Sequence, residues 1–204
     1  MTRPPPPPRR PLRIVLTGGP GGGKTTAADL FRREIGDRAA LVPEAATLLY
    51  AGGFPRPADP EGRRALQRAI YHVQSNLEDV VARRFPERIL LCDRGTLDGA
   101  AYWPDGDGAF FDAVGSTEAR ELARYDAVIF FETAAAGGGS IEGNNPTRIE
   151  TATEAIAIDR ALQAAWARHP RFTLVRHERS FLAKIMRGLG AIEGLVAQLG
   201  GEAR

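Results

Sequence analysis

The sequence predicts an α/β domain built on a parallel sheet of five strands, with helices on both faces. Three observations carry that expectation. From Leu12 onward, short β-rich runs alternate with longer stretches of helical spacing. The strand runs are apolar throughout rather than alternating, as strands are when both faces of their sheet are covered. A glycine-rich stretch also joins the first strand directly to the first helix.

The elements follow in order. "LRIVLTG" reads as a buried strand. "KTTAADLFRREIG" has helical spacing, with Ala27, Leu30 and Phe31 on one face and Gly36 as the stop. "AALVPEA" is a second strand, and the Pro- and Gly-punctuated "GGFPRPADPEG" is a loop. A long helix is expected from Arg63 to Phe85, with Leu66, Ile70, Val73, Leu77, Val80 and Val81 as its apolar stripe. "RILLCD" is the third strand, "TEARELARY" a helix and "DAVIFFET" the fourth strand. "AAAGGGSIEGNNP" reads as a mobile insertion, followed by a helix over "TRIETATEAIAIDRALQAAWARH". "RFTLVR" is the fifth strand, and a helix from Ser180 to Leu199 closes the chain. No internal repeat or second-domain boundary is visible. The expectation is therefore one domain over residues 12–204 with a lid around 134–160.

Composition narrows the function classes. A chain of 204 residues with 43% hydrophobic and 25% charged residues is an ordinary globular composition. The net charge of +2, with no dense basic run interleaved with aromatics, does not favour a nucleic-acid partner. Cys92 is the single cysteine, so no internal disulfide can form; it reads as a small buried residue in a reduced compartment. No apolar run approaches the roughly 18 residues of a membrane span. The opening "MTRPPPPPRRP" lacks the apolar core of a secretory signal, so residues 1–11 are expected to be an extended Pro-rich disordered tail and the protein cytoplasmic.

Gly18-Gly19-Pro20-Gly21-Gly22-Gly23-Lys24-Thr25 fits G-x-x-x-x-G-K-[ST] at every fixed position, between a strand and a helix. This is the P-loop. Its glycines let successive backbone N–H groups face inward around phosphate oxygens, and the following helix adds its free N–H groups and dipole. In such a loop Lys24 brings charge to the β- and γ-phosphates, and Thr25 offers a hydroxyl to Mg²⁺. Thr26 either touches the α-phosphate or only belongs to the first helical turn.

The other candidates lie at strand ends. Asp93 directly follows the third strand, where an acid would hold Mg²⁺, and Arg94 then points toward the phosphates. Asp98 either approaches the acceptor or metal or caps the next helix. Glu44, after the second strand, is placed to act as general base for an acceptor hydroxyl or to orient the metal; alternatively it is a helix-start acid favoured by the dipole. Arg148, after the glycine-rich run, is the candidate lid arginine for the γ-phosphoryl group, with Glu150 orienting it or meeting the acceptor. Its alternative is a surface loop before an amphipathic helix. Tyr71, Gln74 and Glu78 share one face of the long helix that would line an acceptor pocket, though an ordinary half-exposed face has the same spacing.

"GGPGGGKTT", "VPEAAT", "CDRGTLDGAAYW", "FFET" and "NPTRIETATEAIAID" together resemble the NadR-like AAA-type P-loop ATPase/kinase family, close to the thymidylate- and deoxynucleoside-kinase branch. The resemblance runs from Leu12 to about Leu199. It implies a P-loop NTPase three-layer sandwich with strand order 2-3-1-4-5, which sets Glu44 and Asp93-Arg94 beside the P-loop. It implies ATP and Mg²⁺ as cofactors, an acid at Glu44 as base, the Asp93-Arg94 pair near metal and phosphate, and a lid arginine at Arg148. Typical kinase lids carry two or three basic residues, and this one matches Arg148 alone. No N-K-x-D guanine motif is present, which favours ATP over GTP. The leading expectation is a kinase that moves the γ-phosphoryl group of ATP to a hydroxyl of a nucleoside-like or other small metabolite. The alternative is a regulatory ATPase or GTPase switch with slow hydrolysis and a protein partner.

Overall fold

A computed structural model describes residues 10–137, 151–178 and 180–202 of the chain. Five strands form one parallel sheet: β1 (Arg13–Thr17), β2 (Ala39–Val42), β3 (Ile89–Asp93), β4 (Ala127–Phe131) and β5 (Phe172–Val175). Their order is β2-β3-β1-β4-β5, the order the sequence led us to expect. Register is continuous across the centre: Val15 lies opposite Cys92 of β3 and Val128 of β4.

The strands are apolar without alternation because each face buries its own core. Ile14 and Leu16 point to one side and pack with Phe31, Ile129, Phe131, Ile185 and Ile192. Val15 points to the other and packs with Cys92, Val128, Phe110 and Trp166. The first core is closed by α1 (Lys24–Ile35) and α7 (Phe181–Glu202), the second by α3 (Pro60–Arg84) and α6 (Ala152–Trp166). Cys92 is fully buried, and burial pushes its thiol up.

Several elements differ from the expected boundaries. The long helix begins at Pro60, three residues earlier than expected, because Asp59 caps it by accepting from the Gly62 N–H at 2.8 Å and Pro60 suits the first turn. A short helix, α2 (Ala45–Ala51), fills the stretch between the second strand and the loop. A 3₁₀ turn over Thr96–Tyr102 and α4 (Asp107–Ala113) follow the third strand, where the sequence suggested no element. The helix expected at 117–125 is the shorter α5 (Glu118–Leu122). Ala134–Gly137 form a 3₁₀ turn, and α6 starts after Thr151, which closes a capping box with Glu154. Most of the Pro-rich tail and residues 138–150 of the expected lid lie outside the described residues. No helix among the described residues is long and apolar enough to cross a membrane.

The expected apolar stripe of α3 is only part of its buried face: Leu66 is buried and Leu77 and Val81 pack against the second core, but polar residues share that face. Val80 is 61% exposed, whereas Gln67, Tyr71, Gln74 and Glu78 are buried alongside Leu66. This face is polar because it packs against polar partners. The fully buried Glu78 carboxylate accepts from Tyr125 at 2.8 Å, Arg124 at 3.0 Å, Gln74 at 3.3 Å and Arg13 at 3.4 Å.

Candidate functional site

Parallel sheets present their carboxyl ends, with the helix N-termini that follow, as the place where ligands gather. Here those ends bring the P-loop, Glu44 and Asp93-Arg94 to one edge. Gly18 has φ of 136°, and a Cβ on it would lie 2.0 Å from the carbonyl oxygen of Phe131, so only glycine fits. Gly19 passes so close to α6 that a Cβ would lie 2.5 Å from Oδ1 of Asp159.

The outer wall of the P-loop is pinned by three side chains. Asp159 Oδ1 accepts from the Gly19 N–H at 2.8 Å and the Thr133 N–H at 2.9 Å. Thr133 donates its hydroxyl to the Pro20 carbonyl. Lys184 of α7 donates to the carbonyls of Gly22 at 2.8 Å and Glu132 at 2.5 Å, and burial lowers its pKa to about 8. Sequence reasoning missed Asp159 and Lys184. Both break the apolar face of an amphipathic helix, Asp159 between Ala155 and Leu162 and Lys184 beside Ile185, and that interruption was the available signal.

On the inner side, Lys24 folds back and donates to the carbonyls of Gly18 and Gly19, both at 2.8 Å. Burial, followed by the nearby Arg94 guanidinium, lowers its pKa to about 7. The first N–H groups of α1, from Lys24 to Thr26, have no acceptor within their own helix. Thr26 is exposed on that turn and lines the cavity.

Thr25 Oγ1 donates to Asp93 Oδ2 at 2.9 Å. The other oxygen, Oδ1, is buried and has no partner among the described residues. Burial and the neighbouring Glu44 carboxylate push the Asp93 pKa up to about 6. These residues fit a divalent cation, which would satisfy the orphan oxygen and offset the repulsion between the two acids.

Arg94 is the one described non-glycine residue with positive φ, at 69°. Such a backbone costs about 1–3 kcal/mol and persists where the surroundings fix it. The surroundings are plain here: its Nε donates to Glu44 Oε1 at 2.5 Å, its Nη1 to Asp98 Oδ2 at 3.0 Å, and its carbonyl accepts from Gln74 at 3.3 Å. Burial opposes the Glu44 charge, but Arg94 and the Thr47 hydroxyl hold its pKa below the ordinary range.

Asp98 neither caps a helix by hydrogen bond nor pairs with Thr25. It is a buried hub that accepts from Thr17 at 2.9 Å, Trp166 at 2.6 Å and Arg94. It also lines the cavity. Tyr71 and Gln74 also line that cavity, whereas Glu78 lies behind it in the buried network described above. Arg148 and Glu150 lie outside the described residues.

One cavity of about 640 Å³ unites these groups. It begins at the P-loop from Pro20 to Thr26, passes Glu44 and Arg94, and continues to Tyr50, Arg56, Gln67, Ile70 and Tyr102. Phe181, at the start of α7, closes the P-loop end.

A family model described as an AAA domain matches residues 13–179, from β1 to just past β5. No curated protein compared with the chain matches it. With the P-loop, all five strands and the Asp93-Arg94 turn inside the matched span, the chain belongs to this AAA domain family of nucleotide-binding P-loop proteins.

Proposed function

We propose that the protein is an ATP- and Mg²⁺-dependent kinase of a small metabolite, of the NadR-like kind that its motifs resemble. The observation that supports this reading is the cavity's extent. At about 640 Å³ it falls within the usual range for small-molecule sites, about 300–1,000 Å³, and it runs beyond the phosphate end into a chamber lined by side chains. A protein that only hydrolyses its nucleotide needs a water there, not a chamber.

In this reading the triphosphate lies in the P-loop, and Lys24 leaves the Gly18 and Gly19 carbonyls for the β- and γ-phosphates. Thr25 and Asp93 hold Mg²⁺, which when bound neutralises charge on the phosphate oxygens. Arg94, fixed between Glu44 and Asp98, supplies charge beside the transferring group, and Arg148 is the candidate second arginine. The acceptor hydroxyl oxygen attacks the γ-phosphorus as the bond to the β–γ bridging oxygen breaks and ADP leaves. The hydroxyl proton passes to Glu44 or to solvent. Glu44 remains ionised at neutral pH, so its main contribution is to orient the hydroxyl by accepting its hydrogen bond.

Acceptor dependence tests the reading. Purified protein is incubated with ATP and Mg²⁺ alone, and then with nucleosides, sugars and coenzyme precursors. A kinase releases ADP in proportion to one class of acceptor, and Lys24→Ala lowers that rate by several powers of ten. ADP release that is independent of every acceptor and responds to a protein partner would replace this reading with the switch.

A further inference from the structure

Three cations line the cavity: Lys24, Arg94 and Arg56. Arg94 is already engaged by Glu44 and Asp98, which are the cavity's two lining acids. Lys24 sits on P-loop carbonyls, within reach of the nucleotide tail. Arg56 pairs with no carboxylate among the described residues. Its guanidinium lies on the ring of Tyr50, 3.6 Å from the centroid. Contact through the face of the guanidinium leaves its edge N–H groups as donors. The sequence Pro55-Arg56-Pro57 stiffens the backbone on both sides of it. The side chain, exposed to solvent, thus rests on Tyr50 at the chamber wall.

A second polar side chain of the same chamber is open to a ligand. Gln67 of α3 is 8% exposed, lines the cavity, and makes no hydrogen bond to any described residue. Gln74, two turns further along the same face, shows what a structural glutamine does here: it bonds Ala45, Glu78 and Arg94. Its amide oxygen and nitrogen are not sealed from solvent, so both are free to meet a ligand in the cavity.

We propose that this chamber binds an acceptor through an anionic group, a phosphate monoester or a carboxylate, held by Arg56. Gln67 bonds the polar body of the same molecule. This deepens the kinase reading and rests on it: the acceptor is a charged metabolite, and a neutral nucleoside lacks the group that Arg56 is placed to hold. Guanidinium suits either anion because its fork matches two oxygens of both.

The test fills the P-loop first, with Mg²⁺ and the non-hydrolysable analogue AMPPNP, so that added anions cannot occupy it. Phenyl phosphate, benzoate and neutral phenol are then titrated by calorimetry, and the Arg56 Nε–H resonance is followed by nitrogen-15 NMR, assigned by its loss in Arg56→Gln. We expect at least one anion to bind tenfold or more tightly than phenol and to move the Arg56 resonance saturably. A response to phenyl phosphate alone assigns a phosphate monoester, and one to benzoate alone a carboxylate. Arg56→Gln abolishes the preference while still retaining AMPPNP, and Arg56→Lys keeps part of it. Equal binding of anions and phenol, no anion binding, or a preference that survives Arg56→Gln overturns the proposal. If AMPPNP itself is not retained by the unaltered protein, the nucleotide reading falls too; AMPPNP retention with any of the other failures removes this inference alone.

Discussion

Lys184 and Asp159 hold the P-loop from behind, and each offers a measurement at the scale of a single residue. Lys184 is 3% exposed, and burial lowers its pKa from 10.5 to about 8, while Asp159, Glu132 and Glu178 oppose the shift. Between those two values the unfolded chain binds the proton and the folded one releases it, so stability rises with pH through that window. Below pH 8 both states are protonated, and the burial penalty is present in full. We therefore expect the stability difference between the unaltered protein and Lys184→Met to grow in favour of the former from pH 8 to 10, by about 1–3 kcal/mol. Urea unfolding at each pH checks it, and a flat difference would mean that Lys184 titrates normally. Asp159 differs in kind. Its single oxygen Oδ1 accepts both buried N–H groups, so an amide can replace the carboxylate. Asp159→Asn is expected to change stability by less than about 1 kcal/mol, whereas Asp159→Ala orphans both donors and costs about 2–3 kcal/mol. If the asparagine variant is as unstable as the alanine one, the charge matters more than the hydrogen bonds.

At the scale of elements, all five strands were legible because each is a short apolar run bounded by turn residues, and the loop between β1 and α1 because its spacing serves one chemistry. What the sequence hid has definite physical causes. α2 and the turn at Thr96–Tyr102 are too short to show a helical period, and tertiary contacts hold them: Gln74 accepts from the Ala45 N–H at 3.1 Å, and the Thr96 N–H donates to Tyr125 at 2.8 Å. The buried face of α3 was half legible: the spacing of Tyr71, Gln74 and Glu78 put them on one face, but the same spacing serves a half-exposed surface, and apolar periodicity gives no reason for Gln67, Gln74 and Glu78 to be inside. Asp93 and Arg94 were read from their place after a strand, but the Asp98 hub needs Trp166, 68 positions away in the chain, and no local pattern announces such a partner. α6 makes its own prediction. Thr151 caps it by accepting from the Glu154 N–H at 3.2 Å while Glu154 accepts from the Thr151 N–H at 2.8 Å, both on the surface. Thr151→Ala should cost about 1 kcal/mol in chemical denaturation without altering the folded spectrum. A loss near zero would show that α6 is held in place by its buried contacts through Asp159 and Trp166 alone.

For the molecule as a whole, the sheet order places the two halves of the cavity on separate structural supports. The P-loop end rests on β1, β4, α6 and α7, while the chamber end rests on β2, β3, α2 and α3. A ligand spanning both ends must couple them, and global stability reports that coupling. A ligand at one hundred times its Kd adds about 2.7 kcal/mol to unfolding. A domain of this size gains about 2–4 °C in Tm per kcal/mol, so saturating ATP with Mg²⁺ is expected to raise Tm by about 5–10 °C. The increase should climb with the logarithm of ATP concentration rather than level off. Chelating the metal should remove part of it, and Asp93→Asn should show only the metal-independent remainder, since it retains the Thr25 contact but loses the charge beside the orphan oxygen. Lys24→Ala should abolish the increase altogether, because the shift is a difference between bound and free protein and is insensitive to any change in the free protein's own stability. An unaltered Tm at millimolar ATP and Mg²⁺ would mean that the Gly18–Thr25 loop holds no triphosphate, and the reaction assigned to the cavity would go with it.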